Sequence, residues 1–137
     1  MITIIDLKAE LAKLTMLRGR TPETTRAGRE GSAAQLAPYR DGGIFASKSA
    51  GKGAWERHPD GDELVQIVDG AATLHIVGAD GPQSYALGAG TLAIVPQGTW
   101  HRFHYPDGVT LITVTPLPSE YVRADVDDPR TVEPQRG

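Results

Sequence analysis

Four residues able to bind a metal ion stand at strand spacings in this chain: Glu56, His58 and Glu63 within residues 55–63, and His101 within residues 90–105. Alternate residues of a strand share a face, so Glu56 and His58 point the same way, as do Glu63, Val65 and Ile67 on the strand that follows. Between the pairs, Pro59-Asp60-Gly61-Asp62 is turn chemistry that reverses the chain and brings Glu63 back opposite His58. A second turn, Pro96-Gln97-Gly98, precedes His101, which shares its face with Phe103 and Tyr105 and supplies the third corner of a site. Imidazole and carboxylate donors suit Zn, Fe, Mn, Ni or Cu, and two His with a carboxylate leave coordination positions open to oxygen or a substrate. The competing reading makes His58 and His101 polar residues of a metal-free barrel. Glu63 resists it, because a carboxylate projecting among Val65 and Ile67 is costly unless paired or coordinated.

These side chains need a scaffold of short strands. Residues 33–39 and 43–47 read as strands around Arg40-Asp41-Gly42, and residues 49–53 as a flexible, glycine-rich lead-in. Strands follow at 64–68 and 71–77, joined through Asp69-Gly70 as a hairpin turn, and then at 83–87, 91–95, 100–105 and 109–115. Turn signals at nearly regular intervals, with no helical pattern between them, predict an all-β sandwich or barrel. Ahead of it, residues 1–5 suit an edge strand. Asp6 suits an N-cap, and Leu7, Leu11, Leu14 and Leu17 recur at helical spacing, predicting one short amphipathic helix of about three turns. Residues 18–32 read as a mobile polar loop. An anion-binding role for Arg18, Arg20, Arg26 and Arg29 competes there with a solvated one, and Glu23 and Glu30 among them favour the solvated one. Past Thr115 a Pro-rich charged tail is expected to wrap the surface or fray. The divisions are thus 1–32, 33–116 and 117–137.

Composition narrows the function classes. At 137 residues the chain is one domain's worth, a size that buries roughly 68–70% of the unfolded surface. Its 16 Gly and 10 Pro favour frequent turns. With 14 Lys and Arg against 17 Asp and Glu it offers no broad basic surface, which argues against nucleic acid as a partner. The absence of cysteine removes disulfides, thiolate metal sites and a thiol nucleophile. No membrane-spanning run or secretory leader is recognisable, so a cytoplasmic protein is expected. His75 and His104 read as surface residues, Arg57 and Arg102 as surface charge, and Trp55 and Trp100 as packing on the face opposite Glu56 and His101.

The two segments together resemble the paired motifs of the cupin family. The first of these runs His-x-His, three or four residues, Glu, six residues, Gly. His58, Glu63 and Gly70 match it, with four residues between the first two and six between the last two. The second runs Gly, five residues, Pro-x-Gly, two residues, His, three residues, Asn, and Gly90, Pro96, Gly98 and His101 match it without a gap. Glu56 replaces the family's first His, Tyr105 replaces its closing Asn, and the lead-in from Gly51 is one residue short. The resemblance covers about residues 33–116. It implies a cupin-type jelly-roll β-barrel, often dimeric, with a divalent metal held inside by Glu56, His58, Glu63 and His101.

Two function classes follow. In one, a metal-dependent cupin enzyme of oxygenase, isomerase or lyase type uses Fe, Mn, Zn or Ni to act on a small oxygenated metabolite, with Glu56 and Tyr105 as candidates for proton transfer. In the other, a non-catalytic binding or sensory cupin holds a small ligand with or without metal. A second carboxylate in the ligand set leans toward Mn or Fe. Glu56 could equally turn away or act as a base, and beside Glu63 without metal its protonated form would be favoured. The expected partners are a small molecule and a second copy of the chain in a homodimer, with no nucleic acid and no membrane.

Overall fold

Two long strands, β5 (Glu63–Gly78) and β8 (Trp100–Pro116), run antiparallel and form the spine of the barrel in the computed structural model, which describes residues 1–137. Around them lie β2 (Ala33–Tyr39), β3 (Gly42–Lys52), β4 (Trp55–Arg57), β6 (Gly81–Gly88) and β7 (Leu92–Val95). β3 pairs with one edge of β8, while β6 and β7 pair with the two halves of β5. The result is the expected all-β jelly roll with one short N-terminal helix, α1 (Leu7–Ala12).

The spine corrects one sequence expectation. Asp69-Gly70 does not close a hairpin; it is an irregularity within β5, where the register against β8 shifts between Ile67 and Asp69 and again between Gly70 and Thr73. An inserted residue bends a strand and raises its twist, which lets one strand serve both sheets of the roll. Gly70 has φ +80, and a Cβ there would meet the Gly108 carbonyl oxygen at 2.2 Å, so the two strands can cross the corner together only at glycine. Across the corner, β8 keeps its alternation: Phe103 and Tyr105 before it and Leu111, Thr113 and Thr115 after it all reach the same cavity.

Apolar packing holds the barrel in two groups. Val65, Ile67, Leu74, Val95, Phe103, Tyr105 and Leu111 belong to the main core. Full burial of a side chain such as Val65 or Ile67 contributes about 1.5–3 kcal/mol. Trp55, Val77, Trp100 and Val122 form the second group, on the side of the sheet away from Glu56 and His101. Arg57 stacks on Trp100 and Arg102 on Trp55, each 4.6 Å from the ring centroid, and they pair with Glu120 and Asp125. Both arginines therefore cover the tryptophans, beyond carrying surface charge.

Both ends of the chain are more ordered than their composition suggests. Asp6 caps α1 by accepting from the Ala9 amide at 3.1 Å, but the helix is six residues long and buries none of them. Residues 1–5 form no strand. The outer edge of β3 is already taken, by β2 along Gly42–Ser47 and by the parallel strand β1 (Leu17–Arg20) at Ser49 and Gly51. Residues 18–32 are thus not a free loop: β1 docks on the barrel, and a one-turn 3₁₀ helix, Ala27–Arg29, follows it. The tail likewise adds β9 (Glu120–Val122) to the open edge of β4, with β10 (Gln135–Arg136) beyond it. An edge strand left bare is a liability, and this pairing covers it. No helix is long and apolar enough to cross a membrane.

Candidate metal centre

The four residues singled out by type and spacing meet at one point inside the barrel. Glu56 on β4 is the register partner of His101 on β8, His58 follows the end of β4, and Glu63 opens β5. The two turns that present them are tied together. The Gly98 amide donates to the His58 carbonyl at 3.0 Å, the Gln97 amide to Asp62 Oδ1 at 2.8 Å, and Gln97 Nε2 to the Pro59 carbonyl at 2.6 Å.

One donor atom from each residue lies within 4.8 Å of the others. His58 Nε2 is 3.1 Å from Glu63 Oε2 and 3.4 Å from Glu56 Oε1; His101 Nε2 is 3.1 Å from Glu63 Oε1 and 3.4 Å from Glu56 Oε1. The outer nitrogens are held from behind. His101 Nδ1–H donates to the Thr99 carbonyl at 2.9 Å, and a carbonyl can only accept, so Nε2 of the neutral ring presents its lone pair to the centre. His58 Nδ1 is hydrogen-bonded to Ser119 Oγ at 2.9 Å. Thr115 Oγ1 donates to Glu63 Oε2 at 2.6 Å and is itself hydrogen-bonded to Thr113 Oγ1 at 2.9 Å. Partners behind the ligands that fix ring orientation and carboxylate rotamer are what a metal site requires.

A divalent ion fits this set on two observations. His58 Nε2 is buried and, though close to both carboxylates, is aligned for a hydrogen bond with neither; it is an orphaned polar atom facing the centre. The donors are two imidazoles and two carboxylates, a combination that suits Mn, Fe, Zn or Ni. These residues could therefore hold a metal ion.

Electrostatics of the cluster run opposite to the expectation that Glu56 would favour its protonated form. Burial by itself raises the Glu56 carboxyl, yet His101 and then His58 hold it well below the usual carboxylate range. Glu63 is also lowered: the two imidazoles outweigh both its burial and the like charge of Glu56. Burial opposes charge on the rings as well, but Glu56 and Glu63 push His58 up to about 9 and His101 up to about 10. Without metal, charge on the rings and charge on the carboxylates favour one another.

The site opens on a cavity of about 830 Å³. His101, His58 and Glu63 side chains are 0–3% exposed, whereas Glu56 is 26% exposed; Glu56, His58 and Glu63 line the cavity, with Glu56 the most open to it. Tyr105 also lines the cavity, and its hydroxyl accepts from Arg20 Nη1 at 2.7 Å. His75, a half-buried residue hydrogen-bonded to Ser84, and His104 stand apart from the cluster. Sequence reading alone missed Ser119 and Thr115, and favoured a solvated role for the arginines of residues 18–32, three of which, Arg20, Arg26 and Arg29, line the cavity. Thr113 and Thr115 carried a usable signal, continuing the alternation of His101 and Phe103; Ser119 carried none, because its place depends on the tail returning to β4.

The fold and site together define a small barrel with a candidate metal centre inside it, and the comparisons with known proteins place it in a family. The cupin domain family (Cupin_2) matches residues 44–115, more than half of the chain, and the protein belongs to that family. A cupin-2 domain protein from Shewanella frigidimarina NCIMB 400 is 21% identical, with a TM-score of 0.59 over 83% of this chain and 95% of its own. A Neisseria meningitidis protein is also 21% identical, at 0.62 over 84% and 100%. The hydroquinone 1,2-dioxygenase of Sphingomonas sp. TTNP3 is 17% identical, at 0.54 over 61% and 64%. At these identities the likeness is one of fold. No curated protein matches the chain.

Proposed function

We propose that this protein is a metal-dependent enzyme that binds one divalent ion through Glu56, His58, Glu63 and His101 and acts on a small oxygenated metabolite in the adjoining cavity. The observation that carries the reading is the convergence of four donor atoms, braced from behind, at the wall of a cavity large enough for a metabolite. Cupin membership supports the reading, since the same two motif segments build the site. When bound, the ion would supply Lewis acidity toward an oxygen of the ligand.

The chain's own residues then have distinct tasks. Glu63 and the two histidines, buried and individually hydrogen-bonded, hold position. Glu56, the half-buried and most accessible carboxylate of the set, is placed to take a proton from the ligand. Tyr105 offers its hydroxyl proton to the same space, its oxygen fixed by Arg20. Phe103 and Leu111 make part of the wall apolar and limit water around the reacting group.

Elemental analysis after reconstitution with Mn, Fe(II), Zn or Ni tests the proposal. Stoichiometric metal is expected in the wild type and not in His101→Ala; equal metal contents would show that these residues are not a metal centre. Metal-loaded protein that retains a metabolite unchanged would instead make it a binding protein.

A further inference from the structure

The cavity has a second charged end. Arg20 from β1, Arg29 from the 3₁₀ turn, and Arg26 reach its wall, together with Glu30. None of the three arginines forms a salt bridge with a carboxylate of the chain. Nε of Arg20 and Nε of Arg29 are buried without a hydrogen-bond partner. The side chain of Arg20 donates only to the neutral Tyr105 hydroxyl. Burial, and next the charge of Arg20, lower the Arg29 guanidinium from its ordinary value, and the attraction of Glu56 at the other end of the cavity only partly offsets them. A guanidinium withdrawn from water costs free energy unless an anion meets it.

The rest of the cavity fits an organic anion. If the metal centre is loaded, Glu56 and Glu63 balance the divalent ion, and three arginines against Glu30, the one other acidic side chain of the lining, leave the cavity walls with surplus positive charge. Phe45, Phe103, Leu111 and Leu117 line the cavity and suit a carbon skeleton. Arg18, by contrast, does not reach the cavity and is exposed. We infer that Arg20 and Arg29 form an anion subsite that takes the carboxylate of a small organic acid, whose other end faces Glu56, His58, Glu63 and His101. Planar guanidinium forks match carboxylate geometry better than a point charge would. The inference rests on the proposed function only for what meets the ligand's far end; the arginine pair stands without it.

Calorimetric titration with succinate tests this, on wild type, Arg29→Gln, Arg20→Gln and Arg18→Gln, each metal-free and reconstituted with Mn. Circular dichroism confirms that each variant is folded, and Arg29→Gln, on a surface turn, serves if Arg20→Gln disturbs Tyr105. Succinate is expected to bind wild type and Arg18→Gln alike, and to lose about tenfold or more in Kd in Arg29→Gln. The neutral diamide, succinamide, is expected not to bind. Absence of succinate binding to wild type, equal affinity in Arg29→Gln, equal binding of the diamide, or tighter binding of inorganic phosphate than of succinate would each overturn the inference. If Arg29→Gln weakens succinate while Mn has no effect and does not bind, the subsite stands and the metal-enzyme reading falls. If Mn tightens succinate while the arginine variants leave it unchanged, the subsite falls alone.

Discussion

Thr115 Oγ1 donates a 2.6 Å hydrogen bond to Glu63 Oε2, so the two ends of the barrel spine, the start of β5 and the end of β8, are joined through a candidate metal ligand. Glu63 is almost fully enclosed, and this hydroxyl fixes one carboxylate oxygen while the other faces His101. Thr115→Val keeps the volume and removes the donor. Metal affinity is expected to fall about 10–100-fold, and stability of the metal-free protein by roughly 1–3 kcal/mol for the unsatisfied oxygen. Competition titration with a chelating dye reads the first and chemical denaturation the second. Unchanged metal affinity would remove Thr115 from the site.

Metal binding should release protons. His58 at about 9 and His101 at about 10 are both protonated near neutral pH in the metal-free protein, and both must be neutral to ligate. The apparent affinity is therefore expected to rise steeply with pH, on the order of a hundredfold per pH unit between pH 7 and 8 for two released protons. Calorimetry in buffers of different ionisation enthalpy counts them. A pH-independent affinity would mean that the imidazoles are already neutral.

Stability of the metal-free protein should have its maximum on a weakly acidic plateau. The histidines are raised from 6.5, so their contribution is complete below that value and is lost as pH rises through about 9 and 10. The carboxylates are lowered from 4.5, so theirs is present above that value and is lost as pH falls through their depressed folded values. Thermal melts of the chelator-treated protein should thus show Tm declining above about pH 6.5. The decline should be shallower in His58→Ala, which removes one of the two titrations; an identical profile would disconnect the cluster from stability.

The two carboxylates should separate in function. Glu63→Gln is expected to lose the metal, because the enclosed member with a hydroxyl donor at its back can no longer supply charge. Glu56→Gln leaves three donors and is expected to keep most of the metal while lowering turnover about 10²–10⁴-fold, the usual worth of a positioned acid or base. Metal content and kcat measured on both variants decide the matter. Equal metal loss would make Glu56 a structural ligand only.

Gly51 governs the docking of β1. Its φ is +131, and a Cβ there would meet the Arg20 carbonyl oxygen at 2.2 Å. Gly51→Ala is expected to cost about 1–3 kcal/mol and to raise hydrogen exchange selectively along Leu17–Arg20. Exchange that is unchanged there would show that the strand does not depend on this contact.

Much of the barrel and the ligand set could be read from the sequence because both rest on short-range rules. Period-two alternation put Glu56 with His58 and His101 with Phe103 and Tyr105, and Pro-Asp-Gly and Pro-Gln-Gly turns set the reversals between them. Local chemistry misled at Asp69-Gly70, where the same dipeptide that closes hairpins instead bends a continuous strand; only the facing Gly108 distinguishes the two. The arginine segment and the tail were illegible for a different reason. Their polar composition resembles that of solvated chain, and their order comes from sheet edges on β3 and β4 that exist only once the barrel has formed.

The parallel seat of β1 on β3 gives the molecule two separable modules. Glu56, Glu63 and His101 sit on β4, β5 and β8, whereas the arginines that line the cavity arrive on a short add-on, residues 17–29, clipped to the barrel's rim. Exchanging that add-on for another sequence would alter which molecules are admitted without touching a single candidate metal ligand. A barrel built this way can acquire new selectivity by rewriting its first strand, and a designer could do the same while leaving the candidate metal centre intact.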